Sequence, residues 1–156
     1  MTSSRAFAIT TVALGIVALA HAAITWPVSA TLVLFGGGAV VAFVAEALVI
    51  TLGWLEHHIE PKVSDVPLYV LFGWTAVIYL ALRIALLVTD GWAAVVATGV
   101  IATTYDILTD HRGVEDGHWT YTDDLAGPHY RGVPWWNYLG WLLISCFTAA
   151  FTIPFL

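Results

Sequence analysis

The sequence predicts an all-α membrane protein of about five transmembrane helices, built as two parallel-repeat helical hairpins behind an extra N-terminal helix. Three observations carry that prediction. Only 10% of the 156 residues are charged and 60% are hydrophobic, whereas soluble domains average about 25% charged residues. Several apolar runs reach the roughly 20 residues needed to cross a 30 Å hydrocarbon core. One set of residue spacings also occurs twice. With a mean hydropathy of +0.85, no stretch is polar enough for a separate soluble domain, and residues 1–156 are read as a single transmembrane domain.

The first span is expected over Ala6–Thr25. Arg5 ahead of it and the alanine-rich end near Ala20 to Ala23 give it some look of a signal peptide. The run is longer than a signal core, however, and Trp26-Pro27 follows as an interfacial anchor, so the span is read as retained. The others are placed at Ser29–Leu55, Pro67–Thr89, Trp92–Leu108 and Trp136–Phe155. Trp26-Pro27-Val28 and Thr89-Asp90-Gly91 leave room only for tight turns. The remaining connections, around 56–65 and 110–133, hold most of the polar residues. Residues 1–28 thus form the added span, 29–89 the first repeat and 92–156 the second.

Five spans put the N-terminus and both long loops on one side. Arg5, Lys62, Arg112 and Arg131 lie there, and the opposite turns carry no Lys or Arg. The positive-inside rule makes that side cytoplasmic, with the C-terminus outside. Arg83, inside the third span, either snorkels outwards or pairs with a carboxylate. The net charge of −6 and a single lysine, Lys62, argue against nucleic acid, which needs clustered basic side chains. Cys146 is the only cysteine, which excludes an intramolecular disulfide and zinc sites built on several cysteines. It is read as packing.

The duplicated spacings concern two intramembrane acids. Glu46 stands seven residues before Gly53, and Asp106 seven before Gly113. Pro67 stands six before Gly73-Trp74, and Pro134 six before Gly140-Trp141. On the five-span topology the copies are parallel hairpins related by an axis along the membrane normal. The two acids then share one depth. A carboxylate near the bilayer centre costs about 2.5–3.5 kcal/mol on insertion scales, so such groups face the bundle interior or a water-filled cavity. Burial disfavours the ionised form, and a protonated acid is what general acid catalysis requires. The plainer role for both is hydrogen bonding between helices. Asp110 is one turn beyond Asp106 on the same face, either a second site acid or a solvated residue at the helix end. Tyr105 points about 100° away around the helix.

Five of the six histidines, His57, His58, His111, His118 and His129, lie in or beside the polar loops. Leu55-Glu56-His57-His58-Ile59-Glu60-Pro61 has the look of a histidine box of the membrane desaturases. The other closely spaced boxes of such a di-iron site are missing, so the histidines are read as solvated and interfacial, and no metal is assigned. Aromatics crowd the same side: Trp54, Trp74, Trp119, Tyr121, Tyr130, Trp135, Trp136, Tyr138 and Trp141. They form an interfacial belt, a slot for a long apolar ligand whose π faces steady a cation, or both. Pro67 and Pro134 suit the first turns of their helices, and Gly73 and Gly140 allow close helix approach. Asn137 is placed to hydrogen-bond a buried acid. Gly36-Gly37-Gly38 lacks a phosphate-loop context and is read as a thin packing surface. No Ser-His-Asp, Walker or dinucleotide signature is present.

Tyr105-Asp106 through Asp110, Gly117-His118-Trp119-Thr120-Tyr121, and Tyr130-Arg131-Gly132-Val133-Pro134 to Asn137-Tyr138-Leu139-Gly140-Trp141 resemble one known pattern. It belongs to the membrane-integral carotenoid biosynthesis protein family, of which this chain looks like a short, divergent member. That family includes carotenoid 1,2-hydratases acting on lycopene-type ends and on bacterioruberin precursors. The resemblance implies hydration of a terminal polyene double bond without a cofactor. Asp106 or Glu46 would act as the acid, its partner carboxylate would direct water, and Asp110 would assist. Asp106 is expected to matter most. Tyr105, Trp119, Tyr121, Tyr130, Trp136, Asn137, Trp141 and Trp74 would line the substrate. The expected partners are the lipid bilayer, a long apolar polyene or isoprenoid ligand, and a second copy or other carotenoid enzymes. The expected location is a prokaryotic cell membrane. Two other classes fit the same residues: a non-catalytic carotenoid-binding subunit, which would hold pigment unchanged, and a small proton-coupled transporter, which would show pH-dependent flux.

Overall fold

The computed structural model describes residues 3–156. Among them are five helices long and apolar enough to cross a membrane, the number that hydropathy predicts. The first, α1, spans Ser4–Thr25 and is capped by the Ser3 hydroxyl, which accepts from the Ala6 N–H at 3.2 Å. Trp26 and Pro27 then break the chain direction. The second crossing, Val28–Thr51, is one continuous helical rod in three parts. Those parts are α2 (Val28–Thr31), a wider π-helical stretch over Leu32–Gly37, and α3 (Gly38–Thr51). The third crossing is α4 (Leu68–Ala85), the fourth α5 (Gly91–Glu115) and the fifth α6 (Trp135–Thr152), which ends in a 3₁₀ turn.

One expected boundary moves by about two helical turns. The fourth crossing does not end at Leu108 but runs on to Glu115. Apolar character stops at Leu108, but the helical hydrogen-bond ladder does not need it once neighbouring elements pack on the inner face of the extension, burying His111 and half-burying Asp110 while Arg112 and Glu115 stay exposed. Gly113 therefore lies inside a helix and is not a loop glycine. The glycines that end α3 and α5 are Gly53 and Gly117, both at φ 73°, a left-handed conformation that glycine adopts without a Cβ penalty. Their surroundings match: the N–H of Trp54 bonds the Val49 carbonyl at 2.9 Å, and the N–H of His118 bonds that of Gly113 at 2.8 Å.

Short strands follow each of these glycines. Strands β1 (Leu55–His57) and β4 (Trp119–Tyr121) pair antiparallel with each other, Glu56 opposite Thr120. The two loops are thus stitched together. Two small hairpins, β2 (Lys62–Val63) with β3 (Val66–Pro67) and β5 (His129–Tyr130) with β6 (Val133–Pro134), then lead directly into α4 and α6. Both helices are 18 residues long, about 27 Å at 1.5 Å per residue.

Small residues let the helices close up, as expected where lipid removes the hydrophobic drive between them. Ala18, Ala22, Ala76 and Ala149 pack with Leu34, Tyr79, Leu82 and Val95 in the largest core cluster. Gly99 faces the Cys146 sulfur so closely that no Cβ would fit, which gives that cysteine a packing role. Arg83 lies 5.8 Å from the centroid of the Trp26 ring, a cation–π contact. At Gly15 a Cβ would stand 2.6 Å from the Phe72 Cβ and 3.0 Å from its Cα, so α1 seats on α4 only through glycine. Gly15→Ala is expected to destabilise the protein by about 1–3 kcal/mol through overpacking. Thermal denaturation in detergent reads this as a lower midpoint, and a raised midpoint would contradict the packing.

Candidate active site

The loops, the N-terminal end of α1 and the adjacent ends of α3 to α6 enclose a cavity of about 350 Å³. This is near the lower end of ligand pockets, about 300–1,000 Å³. All three acids singled out in the sequence reach it: Glu46 from α3, and Asp106 and Asp110 from α5.

Asp106 is 4% exposed, and its Oδ2 accepts a hydrogen bond from Asn137 Nδ2 of α6 at 2.8 Å. Among the described residues no other hydrogen bond is made by its side chain, so Oδ1 has no hydrogen-bond partner there. One turn along, Asp110 Oδ2 accepts from the Tyr121 hydroxyl at 2.9 Å. Burial, and then the neighbouring Asp110 carboxylate, hold the Tyr121 phenol well above its ordinary pKa. It therefore remains a hydrogen-bond donor.

Glu46 has a different setting. Its Oε1 accepts from Trp74 Nε1 at 3.2 Å, and its Oε2 lies 3.2 Å from His57 Nε2. The other ring nitrogen of His57 is 3.2 Å from the Tyr69 hydroxyl. Aligned on the glycines that end their helices, the residue matching Glu46 is Asp110, seven before Gly117, rather than Asp106.

The walls are aromatic. Trp74 and Trp141 stack at 4.4 Å with 19° between their planes, and Trp119 and Tyr121 come from β4. Tyr105 stands half-exposed at the rim. Asn137 also borders the space. Two expected lining residues stand elsewhere. Tyr130 is half-exposed and packs on His111 at 6.0 Å. Trp136 sits behind the wall, 5.5 Å from Tyr121 and 5.4 Å from Trp54.

His57, His111 and His118 are buried, not solvated. Burial lowers the pKa of His118, and Phe7 covers its ring at 4.6 Å. The signal for His57 was available in the sequence. Strand side chains alternate faces, and Leu55, His57 and Ile59 fall on one face while Glu56, His58 and Glu60 fall on the other. The observed burial follows that alternation. Tyr69 of α4 was also missed, because nothing local distinguishes it from a core aromatic. Among the described residues no group of three His, Cys, Asp or Glu side chains is placed to hold a metal ion.

A family model described as carotenoid biosynthesis protein matches residues 7–155, almost the whole chain. No curated protein and no solved structure matches it.

Proposed function

The chain belongs to the carotenoid biosynthesis protein family, and from that premise we propose that it hydrates a terminal double bond of a polyene held in the bilayer. Its part in carotenoid metabolism follows from the family. The observation that supports hydration is the convergence of Glu46, Asp106 and Asp110 on one aromatic-walled cavity. Adding water to a trisubstituted alkene needs a proton donor, a site tolerant of a tertiary cation, and one admitted water. Asp106, enclosed and with one oxygen free of protein partners, is the donor in this reading. The faces of Trp74, Trp141 and Trp119 shield the cation electrostatically. A carboxylate on another wall, Glu46, directs the water. Asp110, held by Tyr121, supports Asp106 from the next turn. The cavity admits the end of the polyene, and the rest lies along the apolar outer face of α5 beyond Tyr105. The polar loops face the cytoplasm on the positive-inside argument, and the two halves are read as copies of one hairpin.

The decisive experiment is expression in a lycopene-producing bacterium, with mass analysis of the extracted pigments. A pigment heavier by one water, as a tertiary alcohol, is expected. Pigment that co-purifies with the protein unchanged would replace this reading with a binding role.

A further inference from the structure

We propose that Tyr69, His57 and Trp74 form a positioning relay that makes Glu46 the base for the incoming water. The inference rests on the hydration reading and divides the labour within the site. Asp106 and Asp110, with Asn137 and Tyr121, belong to α5, α6 and β4. Glu46, His57, Tyr69 and Trp74 belong to α3, β1 and α4, and all four border the same cavity.

The hydrogen-bond roles follow from what each group can do. An ionised carboxylate only accepts, so the His57 nitrogen facing Glu46, Nε2, carries the proton. In the neutral ring Nδ1 is then an acceptor, and the Tyr69 hydroxyl donates to it. The chain therefore runs Tyr69 O–H to His57, His57 N–H to Glu46 Oε2, and Trp74 N–H to Glu46 Oε1. Each oxygen keeps a second lone pair for water. Outside this chain, Lys62 Nζ donates to the His57 carbonyl at 2.8 Å, and β1 is fixed by pairing with β4. His57 is buried, and both of its ring nitrogens are engaged, so it acts through Glu46 rather than on the substrate.

The Asp106 carboxyl O–H breaks and a C–H bond forms at the terminal double bond, whose π pair is consumed, leaving a tertiary cation. A water lone pair forms the C–O bond, and the water's O–H bond breaks with its proton passing to Glu46. That proton returns through water to the Asp106 carboxylate. The sum is alkene plus water giving alcohol. With the base disabled, the cation instead gives a proton from a neighbouring carbon back to Asp106. In D₂O such futile cycles leave deuterium in the recovered polyene.

The test uses the full-length protein in lipid vesicles with a lycopene-type polyene in D₂O, scoring hydrated product and deuterium in unreacted polyene by mass spectrometry. The readout is the ratio of exchange to hydration, which partial misfolding leaves unmoved because it lowers both together. His57→Leu is expected to raise the ratio about tenfold or more, a part of the roughly 100- to 10,000-fold that complete loss of general base assistance would give. His57→Gln, which keeps an N–H toward Glu46, recovers most of the difference. Tyr69→Phe moves the ratio in the same direction by a smaller factor, and carries the test if His57→Leu does not accumulate. An unchanged ratio in His57→Leu or Tyr69→Phe overturns the relay, as does a His57→Gln protein no better than His57→Leu. Wild-type protein giving neither product nor label would remove the hydration reading itself, and the relay with it.

Discussion

Asp106→Asn is expected to lower the hydration rate by about 100- to 10,000-fold, the usual contribution of a general acid, without unfolding the protein. The substitution is isosteric, and the side-chain oxygen can still accept from Asn137 Nδ2, so the contact between α5 and α6 survives. What disappears is the only hydrogen an Asp106 side chain can deliver at useful acidity. Exchange of deuterium into the polyene must vanish with hydration, because both begin with the same protonation. This separates Asp106→Asn from Glu46→Gln, for which hydration falls and exchange persists. Conversion at the wild-type rate by Asp106→Asn membranes would end the role given to Asp106. Loss of hydration with exchange retained would transfer the proton donor to Asp110 or Glu46.

The sequence discloses the five crossings because lipid imposes a length and a composition on each, and those are local properties. Helix ends are less legible where polar residues continue a helix. Thr109 to Glu115 extend α5 because β4, β6 and the second loop pack on them, and no window of hydropathy registers such packing. The matched spacing from acid to glycine illustrates the same limit. Seven residues separate Asp106 from Gly113 and also Asp110 from Gly117, and only backbone conformation tells which glycine stops the helix. The carboxylates themselves were readable, since an acid in an apolar run demands an interior position. Their partners were readable in part. Asn137 followed from its place at the start of a span, whereas the His57 contact depends on β1 folding back under α3. The pairing of β1 with β4 joins residues more than sixty positions apart, and three-residue strands leave too little pattern to predict it.

Gly113→Ala is expected to destabilise the protein and empty the site of one wall. In open space the change would stabilise a helix interior by about 0.5–1 kcal/mol, since alanine loses less backbone entropy on folding. Here a Cβ would overlap the carbons of the six-membered ring of Trp119. That ring cannot retreat with its backbone, which is held in register opposite His57. It must swing away, costing Phe7 at 5.8 Å and His57 at 5.9 Å one of their aromatic contacts. Overpacking of this kind costs about 1–3 kcal/mol, so the sign of the stability change decides between open space and contact. Activity should fall about 10- to 100-fold, the scale of loss when reacting groups are displaced by around an ångström. The double variant Gly113→Ala with Trp119→Leu separates the two effects. Removing the indole relieves the clash and restores thermal stability in detergent, while hydration stays low because the cation has lost its shield. A Gly113→Ala protein as stable and as active as wild type would show that Trp119 does not form the wall. A double variant that recovered activity along with stability would show that the indole fills space near Asp110 without taking part in the chemistry.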